Sequence, residues 1–368
     1  MKTEPLHIVE PILNDETGHC MSLVRSLVEA ARQLGQSQVV VWGGKDLVAP
    51  PNVSAGVTYV PHFVRRYRKL QAPFLYARLL RQPGRLLIST ASSVDLISLD
   101  LVARMCRLGA MAPGKVSLFV HWLNIKPGKA RRFTQIAQRQ PGWQILAPTQ
   151  SVVDFFSSCG FHAQLVPYPL DLHDTGRQDN VAPVHFRHLL VPGSARMDKG
   201  FGHVVQLVEY LNATGHTWPM TIQTSLEHGH DKDVALQEAL ARLKTVHPSH
   251  VQLVDASMDR AAYQALFQGA VVIQPYSRES FQDRVSGVTL DALNAGAPVV
   301  VTGGTWMARM VSGHGCGEVV DTFTPAEWGH AIARLVNRYE DMSAQARMAG
   351  ESIRSEHSAQ GLLRAVLA

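Results

Sequence analysis

Two stretches in the later half of the chain combine residue types that could hold a phosphorylated ligand. The first runs Val191-Pro192-Gly193-Ser194-Ala195-Arg196-Met197-Asp198-Lys199-Gly200-Phe201, between an apolar run and a helix-period segment. Backbone N–H groups at a helix start attract anions. Arg196 offers phosphate a bidentate fork, and Lys199, three positions on, a point charge. Together they suit a diphosphate; a solvated turn with an Asp198–Lys199 pair is the plainer alternative. The second stretch runs from Gln274 to Val300. A strand-like run leads into a polar loop, Ser286-Gly287 opens a short helix, and Pro298 starts another strand. Gly287 lets backbone approach a ligand closely, and amides around Ser286, Gly287 and Val288 have no acceptor within the helix. Arg284 adds a cation. Asp291 lies one turn inside the helix, placed to accept paired hydrogen bonds from vicinal ribose hydroxyls. Asp283 precedes it by eight positions on the loop; Glu279 competes for that place at twelve.

The second stretch resembles the C-terminal donor signature of GT-B glycosyltransferases, particularly the retaining family 4 group. That signature is an acidic residue, seven intervening positions, a second acidic residue, a small and apolar helix, and a Gly-x-Pro-Val-Val strand, here Gly296-Ala297-Pro298-Val299-Val300. The Arg196 and Lys199-Gly200 segment resembles the basic donor-phosphate motif of the same group. The resemblance implies an α/β GT-B fold, two doubly wound Rossmann-like domains with an interdomain cleft. It implies that Asp291 holds the donor ribose and that Asp283 faces the donor sugar. Arg196 and Lys199 then hold the diphosphate with Gly193, Arg284, Ser286, Gly287 and Val288. The family usually has Glu at both acidic positions, where this chain has the shorter Asp, and its Arg284-x-Ser286-Gly287 loop departs from the commoner Phe-Gly version.

Further candidates lie in the first half. Ile12 to His19 resembles the Gly-containing first loop of these enzymes, with Gly18 in place of a glycine pair. It implies Gly18 at the donor phosphates and Asp15 and His19 beside the acceptor; an ordinary helix start is the alternative. His121 ends the apolar run Val116–Val120 and resembles a histidine that many of these enzymes place near the reacting sugar, although a lone histidine there is more often structural. Lys126, Lys129, Arg131 and Arg132 follow, suited to an anionic acceptor, a membrane or plain solvent. No GxxxxGK[ST] or GxGxxG is present. His228-Gly229-His230 and His185-x-x-His188 lack carboxylate or cysteine partners at ligand spacing, so no metal site is expected. Gly303-Gly304-Thr305-Trp306 could border the donor sugar or be a plain helix start, and Cys316 lacks a nearby base for nucleophilic work.

The elements that must position these residues are short apolar runs alternating with helix-period stretches. Strands are predicted at Leu6–Glu10, Gln38–Trp42, Val57–Val60, Arg85–Ser89, Lys115–His121, Gln144–Ala147 and Ala163–Tyr168. Between the first two, Leu23, Val24, Leu27, Val28, Ala31 and Leu34 share one helical face. Asp171 to Arg187 is polar and aperiodic, and reads as a linker. A second series runs from a strand at His188–Pro192 to one at Glu318–Asp321, then into helices. Such alternation implies parallel sheets covered by helices, with ligands at the carboxyl ends of the strands. The expected domains are 1–172 for the acceptor and 187–352 for the donor, with 353–368 a helix returning to the first.

The chain has 368 residues, 46% hydrophobic and 18% charged, which fits two globular cores rather than a disordered or fibrous protein. No apolar run approaches a membrane span, and the N-terminus lacks the apolar core of a signal peptide. Cys20, Cys106, Cys159 and Cys316 lie far apart, as thiols of a reducing compartment do. The net charge of +5 is uneven: through Arg177 there are 20 Lys and Arg against 11 Asp and Glu, and beyond it 15 against 19. A basic first half suits an anionic membrane or a phosphorylated acceptor. Its one dense cluster, Arg65-Arg66-Tyr67-Arg68-Lys69, comes without a nucleic-acid motif, and no nucleic-acid partner is expected.

The activity implied is metal-independent transfer of a sugar, with retention, from a UDP- or GDP-sugar to a glycan or lipid-linked acceptor in bacterial polysaccharide or lipopolysaccharide assembly. No cofactor is expected, and the setting is cytoplasmic, with peripheral contact at the inner face of the plasma membrane. Inversion with Asp15, Glu16 or His19 as general base is one alternative. A sugar-nucleotide epimerase is another, and a degenerate GT-B protein that binds without turnover is a third.

Overall fold

The computed structural model describes residues 4–14, 19–50, 53–122, 128–169, 185–226, 233–256 and 258–368. Asp15, Glu16, Gly18, Lys126, His228 and His230 lie outside the described residues, as does most of the expected linker.

The chain divides into two compact units, 1–174 with 356–368, and 175–355. The first holds strands β1 (Leu6–Val9), β2 (Val39–Gly44), β3 (Val57–Phe63), β4 (Arg85–Ile88), β5 (Val116–Phe119), β6 (Gln144–Ala147) and β7 (His162–Leu165). Its helices are α1 (His19–Gln33), α2 (Arg68–Arg81), α3 (Ser93–Met105), α4 (Lys129–Arg139) and α5 (Gln150–Ser158). The second holds β8 (His188–Val191), β9 (Met220–Gln223), β10 (Val251–Val254), β11 (Ala270–Gln274), β12 (Val299–Thr302) and β13 (Gly317–Val320). Around them lie α6 (Phe201–Ala213), α7 (Val234–Val246), α8 (Arg260–Ala265), α9 (Arg278–Phe281), α10 (Gly287–Asn294), α11 (Trp306–His314) and α12 (Pro325–Asn337). Helix α13 (Tyr339–Glu356) leads back to the first unit, where α14 (Ala359–Leu367) packs.

Both sheets are parallel throughout, ordered β3-β2-β1-β4-β5-β6-β7 and β10-β9-β8-β11-β12-β13. Every residue of β1, β5, β6, β9 and β11 is buried, as strands covered by helices on both faces must be. Helix α1 turns Leu23, Val24, Leu27, Val28 and Ala31 inward. One core gathers around Trp143, Phe133 and Phe156, the other around Trp328, Phe201 and Leu207. In α14, Leu362, Leu363 and Val366 are wholly buried, and its carbonyls accept from Gln144 (3.0 Å) and Arg85 (2.6 Å).

Several strands end earlier than their apolar runs. The ladder pairs β5 with β4 and β6 only through Phe119, which leaves His121 in the following loop. Likewise β1 stops at Val9 and releases Glu10, and β7 stops at Leu165, short of Tyr168. By contrast β2 and β3 run on to Gly44 and Phe63 because they pair with each other beyond Trp42 and Val60. Pairing, not hydrophobicity alone, fixes strand length. In the second unit α6 begins at Phe201, as its helical period predicts, and a single 3-10 turn, Met197–Lys199, precedes it.

Candidate active site

In each sheet the strand order reverses direction between two adjacent strands, β1 and β4 in one and β8 and β11 in the other. At such a switch point the following loops diverge and open a crevice at the carboxyl ends of the strands. The two stretches singled out above are the loops after β8 and β11.

They are tied together by backbone. Ser277 N–H donates to the carbonyl of Asp198 at 2.9 Å. Gly200 has φ +71°, and a Cβ there would stand 1.9 Å from the carbonyl oxygen of Pro275, a backbone atom that cannot yield. Gly200→Ala is therefore expected to destabilise the fold by about 2–4 kcal/mol, read as a lower urea midpoint with an unchanged slope.

The start of α10 is fixed to the end of β11. Ser286 is buried and caps the helix, accepting from Thr289 N–H at 3.3 Å. Thr289 Oγ1 donates to Gln274 Oε1 at 2.8 Å, and Gln274 Nε2 to Ser286 Oγ at 3.4 Å. The cap serves the third amide of the helix, so those of Gly287 and Val288 remain its leading donors. A Cβ on Gly287 would meet nothing within 4 Å.

Gly193 marks where the two loops meet. Its φ is +88°, and its amide donates to Gln223 at the end of β9. A Cβ on it would lie 3.0 Å from Lys199 Nζ and 3.5 Å from Val288 Cγ2. The ammonium and the first turn of α10 thus flank one bare patch of backbone. Lys199 Nζ also stands 6.0 Å from the ring centroid of Tyr276, whose phenol burial pushes up to about 12.

The other cations are organised by Asp198. Arg196 Nε donates to Asp198 Oδ1 at 2.8 Å and its NH2 to Oδ2, while Arg284 NH1 stands 3.6 Å from Oδ2. The ion pair in this turn is therefore Arg196–Asp198 rather than Asp198–Lys199. Burial, and then the like charge of Arg196, lower the pKa of the Arg284 guanidinium. A cation held where its charge is disfavoured is one that an incoming anion stabilises.

Asp283 accepts from Arg309 NH2 at 2.7 Å, and Arg309 NH1 donates to the carbonyl of Gln282 at 2.9 Å. Asp291 is exposed and accepts from the Tyr263 hydroxyl at 3.3 Å. Sequence reasoning missed Arg309 and Tyr263, which reach their partners from α11 and α8. The structure thus gathers Gly193, Arg196, Lys199, Arg284, Ser286, Gly287 and Val288 at one switch point, with Asp283 and Asp291 on the same loop and helix.

In the first unit, His121 Nε2 bonds the carbonyl oxygen of Ser89 at 2.7 Å, and its ring lies 4.4 Å from Phe119 and 5.1 Å from Tyr168 between centroids. Sequence reasoning also missed Glu10, just past β1 and wholly buried. It accepts from Ser89 Oγ and Thr90 Oγ1, both at 2.8 Å. Burial raises its pKa from 4.5 to about 7, against the lowering effect of Ser89, Thr90 and the Ile12 amide. Lys129 donates to Ser93 Oγ at 3.0 Å. His19 opens α1, and its side chain is not among those described.

Cys316 is buried, and burial pushes its thiol up to about 11, the opposite of an activated nucleophile. Among the described residues no cluster of three or more His, Cys, Asp or Glu is arranged to hold a metal ion. His185 pairs with Glu340 at 2.7 Å, and His188 bonds Thr221 and the Leu266 carbonyl.

No family profile matches the sequence, and no curated relative matches it. Solved structures do. The chain is similar to the trehalose-6-phosphate synthase OtsA, with a TM-score of 0.71 at 11% identity, covering 98% of each chain. It is similar to the sucrose-phosphate synthase of Thermosynechococcus elongatus, with a TM-score of 0.64 at 15% identity over 99% of this chain and 97% of that one. It is similar as well to WaaG, a glycosyltransferase involved in lipopolysaccharide biosynthesis, with a TM-score of 0.63 at 12% identity over 98% and 99%. The fold is that of the GT-B glycosyltransferases.

Proposed function

We propose that the chain is a glycosyltransferase that moves a sugar from a nucleotide-diphosphate donor, UDP- or GDP-linked, to a hydroxyl of a glycan or lipid-linked acceptor. The observation that carries the reading is the meeting of Lys199 and the start of α10 at Gly193, with Arg196 and Arg284 close by around Asp198. A diphosphate leaving group develops negative charge as the anomeric carbon–oxygen bond breaks, and preorganised cations and amides stabilise that charge. They provide this stabilisation without a divalent metal. Asp291 holds the ribose, positioned by Tyr263, and Asp283 faces the sugar, held by Arg309.

Transfer proceeds with retention. The bond electrons of the leaving group pass to the phosphate oxygen, which takes the proton of the acceptor hydroxyl as that oxygen bonds the anomeric carbon from the same face. The transition state resembles the oxocarbenium ion of glycoside hydrolysis. A comparison structure, of trehalose-6-phosphate from E. coli, is bound with UDP-2-fluoro glucose, which favours a UDP-sugar here. The first unit supplies the acceptor side through His121, Asp15, His19, Lys126 and Lys129, with Gly18 at the donor phosphates. Assembly of a bacterial surface polysaccharide or lipopolysaccharide, at the cytoplasmic face, fits the basic first half.

Thermal-shift measurement against UDP, GDP, CMP and ADP tests the donor site, because a ligand that binds only the folded state raises its apparent stability. UDP or GDP is expected to raise the midpoint of the native chain, and to raise that of Lys199→Ala by less. No response to any of the four nucleotides would remove the basis of the proposal. NMR of the product anomer then separates retention from inversion.

A further inference from the structure

Between Asp46 and Asp95 the chain contains no acidic residue, yet it carries Arg65, Arg66, Arg68, Lys69, Arg78, Arg81 and Arg85. Six of these seven cations lie in or just before α2. One face of that helix, with Ala72, Leu75, Tyr76, Leu79 and Leu80, enters the core. The opposite face is apolar too. Leu70 is 68% exposed and Phe74 78%, and Tyr67, at the N-cap, is 50% exposed. Tyr67, Leu70, Phe74, Arg78 and Arg81 follow one another at spacings of three or four, so they form a single stripe along the helix. Arg65, Arg66 and Lys69 are exposed at its beginning, and the Arg66 guanidinium lies 5.8 Å from the centre of the Tyr67 ring.

Isolated apolar side chains on a surface are ordinary, whereas a contiguous stripe bordered by unneutralised cations is not. Among the described residues, no ion pair neutralises any of the six cations. We propose that this face of α2 docks on an anionic lipid bilayer, with Tyr67, Leu70 and Phe74 entering the boundary between headgroups and acyl chains and the flanking cations meeting lipid phosphates. Charge selects this occupant. A second copy of the same face would set cations against cations, and a phosphate polyanion would leave aliphatic Leu70 without an apolar partner. A bilayer satisfies both parts, as it does for helices lying in its plane. No helix among the described residues is long and apolar enough to cross a membrane, so this surface is a way of lying on one.

The inference stands apart from the transferase reading, since a binding assay tests it whether or not sugar moves. The full chain is mixed with phosphatidylcholine vesicles, with and without phosphatidylglycerol, and sedimented. Binding is expected only with phosphatidylglycerol present. Leu70→Ser/Phe74→Ser and, separately, Arg65→Gln/Arg66→Gln/Lys69→Gln are each expected to weaken it by roughly tenfold or more. All five positions are at the surface, and matching melting curves confirm intact folds. Added salt should weaken binding of the native chain. Failure to bind anionic vesicles, or full binding by the Leu70→Ser/Phe74→Ser chain, overturns the proposal. So does tight oligonucleotide binding that this double variant retains, which would assign the cations to nucleic acid.

Discussion

Lys199→Ala is expected to lower kcat/KM for sugar transfer by roughly 100- to 1,000-fold, the effect of removing one preorganised donor from a developing oxyanion. The loss should fall chiefly on kcat, because charge on the leaving group grows as the bond breaks. Stability should barely change: Lys199 is partly exposed, and its amine borders Gly193 and Tyr276 rather than entering the core. Lys199→Arg should recover part of the rate, since it restores charge but spreads it over a planar fork in place of a compact ammonium. Steady-state kinetics beside melting curves decide the matter. Transfer near the native rate by a folded Lys199→Ala chain would discard the phosphate assignment.

The second large effect concerns Glu10. Its carboxyl titrates near 4.5 when unfolded and about 7 when folded, so between those values the folded chain holds one more proton. The resulting stability is complete below about pH 4.5 and is lost as pH rises through 7. Glu10→Gln should therefore be more stable than the native chain at pH 8, by on the order of 2–3 kcal/mol, and no more stable near pH 4. The amide fits the same network. Ser89 has one hydroxyl proton and two acceptors, Glu10 Oε2 at 2.8 Å and the Val9 carbonyl at 3.1 Å. An NH2 facing Ser89 lets that proton go to Val9, while the amide oxygen still accepts from Thr90. Asp95, which accepts from Tyr76 at 2.8 Å, adds a small like-charge contribution to Glu10. His7, lowered by burial to about 4, titrates in both chains, so the difference between them isolates Glu10. Urea midpoints at the two pH values measure it, and a native chain as stable as the variant at pH 8 would contradict the reading.

This buried carboxyl, costly to stability at neutral pH, touches Ser89, whose carbonyl is the backbone partner of His121. It was not legible in advance. Glu10 reads as the last residue of a strand, and its partners Ser89 and Thr90 are 79 and 80 positions away. Only the pairing of β1 with β4 brings them together. Arg309 and Tyr263 were hidden for the same reason, 26 positions from Asp283 and 28 from Asp291. What could be read were features that local sequence determines. The continuous apolar runs of β1, β6 and β11 announce buried parallel strands, and Ser286-Gly287 announces the start of α10. The two cationic loops announce an anion. The Arg196–Asp198 pair lay between, visible as residue types but not as partners, because a 3-10 turn sets which neighbours meet.

The return of α14 to the first unit has a consequence for how the protein is made. The chain enters the second unit once and leaves it once, so both of its ends belong to the first. Leu362, Leu363 and Val366 fill a wall of that first unit, yet they emerge from a ribosome only after the whole of the second. The part synthesised first is consequently completed only once the second unit has been made, and until then its sheet has an uncovered apolar side. Nascent chains in that condition depend on chaperones, and a stop codon just before Ala359 would harm a unit begun more than two hundred residues earlier.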